Sequence, residues 1–317
     1  MRIDRDLLAE RYAVREWFQR GRAVNLLSLS RAVAECDLLF GWFASWHTFF
    51  PVLLAKRMRR PSLLIVGGYD SANLPEIGYG SMRGGFKRAL TRWTMQNAVA
   101  LVTNSQFTRR EVIQNVGVSP ERVSAIYHGL VVPERPRTPK ENLVITIGNV
   151  DRDNLTRKGL EPFVRAAAYL PEVPFALIGA WRDDAIAYLK TIASPNVEFT
   201  GWVEDARLQA YKARARVYVQ PSRHEGFGLA VAEAMLYQCI PVVTRAGALP
   251  EVVGDAGVYV DSVEPAALAH AIQSALLQDA ACGARARERI LREFPLERRR
   301  EKLFALIDSL LDGRGQA

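Results

Sequence analysis

Short apolar runs of strand length alternate with longer segments of helical periodicity, and the chain does this twice, on either side of a proline-rich stretch. Alternation of this kind predicts parallel sheets with helices packed on both faces. The first series has strand-like runs at 37–43, 62–66, 100–103 and 123–127, with helical stretches near 47–58, 82–97 and 105–116. The second has strand-like runs at 143–147, 175–178, 197–199, 215–219, 241–244 and 258–260, with helices near 159–170, 182–193, 204–212, 227–237 and 265–292. An amphipathic segment at 296–311 follows Pro295. Between the series, residues 132–142 hold three prolines and several charges, which forbid regular structure and mark a domain boundary. The 317 residues suffice for two α/β domains, each with its own core. The first series opens in helix, without the strand and glycine-rich turn that normally begin a doubly wound sheet.

A composition of 49% hydrophobic and 24% charged residues is that of a soluble globular protein. The longest apolar runs fall far short of the roughly 20 residues that span a bilayer, and the N-terminus lacks the apolar core of a signal peptide, so a cytoplasmic location is expected. Cys36, Cys239 and Cys282 are far apart, as are His47, His128, His224 and His270. Neither set has metal-ligand spacing, and no structural metal is predicted. A net charge of +8 favours anionic partners without choosing among ligand, nucleic acid and acidic membrane.

The stretch from Pro221 to Leu236, Pro-Ser-Arg-His-Glu-Gly-Phe-Gly-Leu-Ala-Val-Ala-Glu-Ala-Met-Leu, leads from a strand into a helix. Gly226-Phe227-Gly228 lets backbone approach a ligand closely, and the new helix points free N–H groups and its positive dipole end at it. That is a phosphate site, the alternative being a plain glycine turn. Glu233 has Leu229, Ala230, Leu236 and Tyr237 as its helical neighbours, which predicts a glutamate on the buried side. A buried carboxylate needs hydrogen-bond donors, and ribose hydroxyls would serve. The alternative is an exposed Glu233 on a differently phased helix. Glu225, before the glycines, would face the sugar end of such a ligand.

Glu225 and Glu233, eight positions apart around this turn, resemble the signature of the retaining glycosyltransferase family 4. So do Pro241-Val-Val-Thr-Arg-Ala-Gly247, Ala248-Leu-Pro-Glu251, Asp255-Ala-Gly257 and Asn196-Val-Glu-Phe-Thr-Gly201. The resemblance covers nearly all of 100–311. It implies the GT-B fold: two Rossmann-like, doubly wound parallel-sheet domains facing a cleft, here with a shortened N-terminal domain. The domains expected are 1–135, to which helix 296–311 returns, and 140–292, which holds the nucleotide-sugar donor. It further implies that an arginine and a lysine after the first strand of the second domain neutralise the donor diphosphate, so that no cofactor and no divalent metal are required. Asn149 occupies the usual arginine position. The role passes to Arg152, six residues before Lys158, with Arg157 as competitor. Gly148, Gly226, Phe227, Gly228, Leu229, Gly201 and Val203 are expected to join Glu233 in holding the donor, while Glu225, Arg152, Lys158 and Asp70 serve catalysis.

Thr103 to Thr108 and Ile126 to Gly129 also resemble family segments that line the cleft. Val66-Gly-Gly-Tyr-Asp70 matches a turn where many members carry a histidine, replaced here by Gly67. Asp70 is then either a polar contact to sugar or acceptor, or only the cap of its turn. Lys56 to Arg60 and Arg83 to Arg92 are basic clusters. In the second, Phe86, Ala89, Leu90 and Trp93 share one helical face, read either as core-facing or as an anchor to anionic lipid. The expected activity is transfer of a hexosyl group, with retention, from a UDP- or GDP-sugar to a glycan, lipid-linked or small-molecule acceptor. An anionic membrane surface is a candidate partner and nucleic acid is not. The alternatives are a nucleotide-sugar epimerase or phosphorylase of the same fold, or a non-catalytic basic relative.

Overall fold

The structure, a computed structural model, describes residues 2–18, 24–134 and 138–313. It divides into two compact units, Met1–Gly129 with Leu296–Ala317, and Leu130–Pro295. Arg135, Pro136 and Arg137 of the proline-rich stretch lie outside the described residues, and its last two residues already belong to a strand. Among the described residues no helix is long and apolar enough to cross a membrane.

The first unit carries four parallel strands, β1 (Leu39–Trp42), β2 (Ser62–Val66), β3 (Ala100–Thr103) and β4 (Val123–Ala125), in that spatial order. The order runs one way only, so the unit is one half of a doubly wound sheet. Side-chain alternation along β2 divides the core. Leu64 and Val66 face helices Trp46–Arg57 and Gly85–Asn97, through Val52 and Met95, while Leu63 and Ile65 pack with Leu8, Leu303 and Ile307. The last three belong to helices Arg2–Ala9 and Leu296–Asp312. Both helices are tied down by a buried ion pair, Arg299 donating to the two carboxylate oxygens of Asp4 at 2.6 and 2.8 Å. Arg299 also donates to the Ile126 and Tyr127 carbonyls, so the pair anchors the end of β4 as well. Burial alone would raise the Asp4 carboxyl, but Arg299 and the Trp42 indole hold it below its ordinary value. Burial, assisted by Arg299, pushes the neighbouring His128 down to about 3, so this imidazole is neutral.

Helix Gly85–Asn97 differs from its sequence phasing. Thr91, Thr94 and Met95 point inward, whereas Phe86 is 83% exposed and Ala89 is exposed. Small threonines let the last two turns pack closely on the sheet and on helix Trp46–Arg57, and the first turn projects beyond the core. Of the apolar row seen in the sequence, Phe86 and Ala89 are therefore turned outward, while Leu90 and Trp93 are half-buried. Trp93 packs against the core and on the Phe49 ring at 4.9 Å.

The second unit carries β5 (Glu141–Ile147), β6 (Phe175–Ile178), β7 (Val197–Gly201), β8 (Ala215–Gln220), β9 (Ile240–Thr244) and β10 (Val258–Val260). All are parallel, in the order β10-β9-β8-β5-β6-β7. The winding reverses between β5 and β8, and ligands of open parallel sheets bind outside the strand ends at such a switch point. Side-chain caps set two helix starts here, the second of them against expectation. The basic stretch after β5 is a short helix, Arg152–Arg157, capped by the Asp151 carboxylate on the Asn154 N–H. The helix expected over 265–292 is two, Pro265–Leu277 and Ala280–Glu293, because Asp279 caps a new start by accepting from the Cys282 N–H.

Candidate active site

The loop between β8 and helix Leu229–Leu236 forms the centre of the second unit's strand-end surface. Gly228 sits at the helix start with φ +97°, a left-handed conformation that a side chain would strain. A Cβ there would also stand 3.0 Å from Val231 and 3.1 Å from Leu249. The loop after β9 closes on the same turn. Gly247, at φ +62°, lies so near Glu225 that a Cβ would come within 2.2 Å of its carbonyl oxygen, and the Ala248 N–H donates to that oxygen at 2.8 Å. The Glu225 backbone is thus clamped from two sides.

Its side chain is held as well. Glu225 Oε2 accepts from Gln220 Nε2 at 2.7 Å, and Gln220 Oε1 accepts from the hydroxyl of Tyr218 at 2.8 Å. Tyr218 is fully buried, and burial together with the nearby Glu225 and Glu233 raises its phenol well above the ordinary value. This relay runs along the end of β8 and leaves Glu225 half-exposed.

Glu233 is half-exposed too, because Leu229, one of its four apolar neighbours in the helix, is 42% exposed and does not enclose it. Its carboxylate is engaged within the protein by Lys212, whose Nζ lies 3.0 Å from Glu233 Oε2. Phe227 also departs from expectation. The ring is buried against Phe294, edge-on at 5.3 Å, so its side chain belongs to the core and only its backbone is available to a ligand.

The basic residues separate. Arg223 N–H donates to the Arg157 carbonyl at 2.8 Å, and a Cβ on Gly159 would stand 2.4 Å from the Pro221 carbonyl oxygen, so residues 157–159 run against the β8 loop. The Lys158 stem lies over Gly148, where a Cβ would be 3.0 Å from Lys158 Cδ. Arg152, at the other end of its helix, is drawn to the β6 side, where it is exposed and paired with Asp184. Since β6 flanks β5 opposite β8, the geometry puts residues 157–159, rather than Arg152, against the β8 loop that carries Glu225. Gly201 ends β7 and Val203 follows it, three strands from β8, or roughly 14 Å across the sheet. Gly201 borders the Trp181 indole, and Trp202 beside it is exposed.

In the first unit, Asp70 is buried, and its Oδ2 accepts from the Gly67 N–H at 2.8 Å and the Ala44 N–H at 3.2 Å. These bonds make it the cap of its turn. Burial raises its carboxyl to about 7 against the pull of both backbone bonds and Lys87. Phe43, at φ +64°, explains why Gly67 carries no side chain, since its ring would be 2.8 Å from a Cβ there. Gly129 serves packing, lying against Leu296 at the start of the last helix. Among the described residues no three His, Cys, Asp or Glu side chains group as metal ligands.

Sequence reasoning passed over Gln220 and Lys212. The glutamine closes a strand and the lysine sits in a strongly charged helix, and neither context distinguishes a side chain that holds a carboxylate.

A glycine turn flanked by two carboxylates and a lysine at the switch point of a doubly wound parallel sheet, in a chain that also carries a second parallel α/β unit, is the arrangement of the glycosyltransferases of GT-B architecture. The chain belongs to glycosyltransferase family 4: the family model "Glycosyl transferases group 1" matches residues 141–279 and "Glycosyltransferase Family 4" matches residues 7–132. Among its relatives, O-antigen chain mannosyltransferase B of Escherichia coli is 31% identical over 59% of this chain and 53% of its own length. The MMP alpha-(1->4)-mannosyltransferase of Mycolicibacterium hassiacum is 31% identical over 60% of this chain and 50% of its own. The chain thus spans about half the length of these relatives. The Anabaena protein HepE, solved in complex with UDP and glucose, superposes with a TM-score of 0.78 at 19% identity, covering 90% of this chain and 81% of that one, and shares the fold.

Proposed function

We propose that this protein transfers a hexosyl group, with retention, from a UDP- or GDP-sugar to a glycan or lipid-linked acceptor in polysaccharide assembly. The observation that carries this is the placement of Glu225 and Glu233 on either side of the Gly228 helix start, with Arg157 and Lys158 along the same loop. Mannosyltransferase relatives and the UDP held by HepE support a nucleotide-sugar donor. The helix N–H groups, Lys158 and Arg157 take the diphosphate and stabilise the negative charge that develops as it leaves. No divalent metal is needed for this. Glu233 accepts from ribose hydroxyls and Glu225 faces the sugar ring. Among the described residues no side chain is placed as a nucleophile, so the acceptor attacks from the leaving-group face and the departing phosphate takes its proton. The outward Phe86 with exposed Arg83, Lys87, Arg88 and Arg92 supports attachment to an anionic membrane surface on the cytoplasmic side.

The test is a pair of variants. Glu233→Gln weakens free nucleoside diphosphate about ten- to a hundredfold by calorimetry. Glu225→Gln leaves that affinity nearly unchanged and lowers turnover. The reverse pattern overturns the placement of the donor.

A further inference from the structure

Lys212, in helix Asp205–Arg214, is only 5% exposed, and a buried ammonium persists only where it is partnered. Its Nζ meets Glu233 Oε2 at 3.0 Å and lies 5.1 Å from the centre of the Tyr237 ring. Tyr237 stands one helical turn beyond Glu233, so the ammonium is held between two side chains of one helix face. The pair is lopsided. Lys212 is enclosed, whereas the Glu233 side chain is 38% exposed and its second oxygen, Oε1, has no partner among the described residues.

From this asymmetry we infer that Lys212 is a positioning residue, fixing the Glu233 carboxylate by one oxygen so that the other is presented to the ribose hydroxyls of the donor nucleotide. The inference rests on the proposed ribose role of Glu233. An exposed glutamate alone would sample several rotamers, and ordering it on binding would weaken affinity. Lys212 removes that freedom beforehand, from a position that touches no substrate itself. Its own backbone is fixed, since the Lys212 carbonyl accepts from Lys140 Nζ at 3.0 Å and from the Cys239 thiol at 3.2 Å.

The probe is UDP or GDP, whichever binds the unmodified protein more tightly, compared with its 2′,3′-dideoxy form by calorimetry. A site that hydrogen-bonds the ribose hydroxyls prefers the complete nucleotide by roughly tenfold or more. Lys212→Met keeps the stem and removes the charge. It should bring the preference within about threefold, mainly by weakening the complete nucleotide, and in a Glu233→Gln background it should cause no further loss. General damage to the fold would weaken both nucleotides alike and leave their ratio intact. Should Lys212→Met not fold, the more polar Lys212→Gln carries the same measurement. The double variant, with no charge left unpaired, should be more stable than Lys212→Met or Glu233→Gln alone. A preference kept in Lys212→Met but lost in Glu233→Gln overturns the role of Lys212 alone. If the unmodified protein shows no preference, or Glu233→Gln retains it, the ribose role of Glu233 fails and the proposal with it.

Discussion

Three basic residues follow β5, and neutralising them one at a time distinguishes which of them meet the donor diphosphate. Lys158 lies along Gly148, beside the Gly228 turn's own loop, where a phosphate oxygen could come within about 4 Å of its ammonium. At an effective dielectric near 20, such a pair is worth about 4 kcal/mol before desolvation. Net of desolvation, a hydrogen bond between charged groups contributes roughly 1.5–3 kcal/mol. Lys158 is half-exposed, which favours the lower end. Lys158→Met should therefore weaken UDP or GDP by about tenfold or somewhat more. Arg157 is turned partly onto Asn154, with which its guanidinium pairs, so Arg157→Met should cost less, about three- to tenfold. Arg152 is exposed and committed to Asp184, and Arg152→Met should leave affinity and turnover within about twofold. Calorimetry with the nucleoside diphosphate, alongside steady-state rates, reads all three. A loss at Arg152 equal to that at Lys158 would refute the argument from strand order and return the diphosphate to the β6 side.

Turnover should survive EDTA, and activity abolished by chelator and restored by magnesium or manganese would mean that the basic residues do not neutralise the diphosphate. Anionic phosphatidylglycerol vesicles should bind the protein in a salt-sensitive way that Phe86→Ser and Arg88→Glu each weaken, with equal binding to neutral vesicles counting against the basic helix. For Asp70 the folded carboxyl, near 7, keeps a proton that the unfolded chain releases at its ordinary value near 3.8, so its contribution to stability falls as pH rises between those values. Asp70→Asn should remove that fall, by at least about 1 kcal/mol across the range, and parallel urea-midpoint profiles for the two proteins would exclude it. Gly247→Ala places a Cβ against the Glu225 carbonyl in a strained backbone conformation, so turnover should drop about tenfold or more in a folded protein, and rates within twofold of the original would show the clamp to be dispensable.

The sheets were legible because every strand of a parallel sheet is bounded by helices and turns, and runs such as Ser62–Val66 are apolar throughout. Helix phase was less so. In Gly85–Asn97 the sequence offers Phe86, Leu90 and Trp93 as the natural inner face, yet close packing selected the threonines. The glycine turn was readable from spacing alone, since Gly228 carries a constraint local to one turn, whereas the burial expected for Glu233 was not met because Leu229 leaves it half-exposed. That Arg152 pairs with Asp184 on the β6 side was not readable, because it depends on the order of β5, β6 and β8, a long-range property. Asp70 was ambiguous for a related reason. One of its two partners, Ala44, comes from the neighbouring strand's end, 26 residues away.

The supports beneath the two glutamates differ in charge, and that difference bears on their proposed roles. Glu225 is held by a neutral amide, Gln220, itself held by a neutral phenol, so its negative charge is oriented without being cancelled. A carboxylate of that kind suits a sugar ring that gains positive character as the bond to the diphosphate breaks. Glu233 is held by an ammonium, and the pair is neutral as a whole. A neutral pair with one oxygen presented suits uncharged hydroxyls, and on the proposed placement it keeps a second negative charge away from a diphosphate at the Gly228 helix start and Lys158. On the proposed placement of the donor, exchanging the two supports would place an uncompensated charge beside the diphosphate and a compensated one beside the reacting carbon. The arrangement present in this chain avoids both.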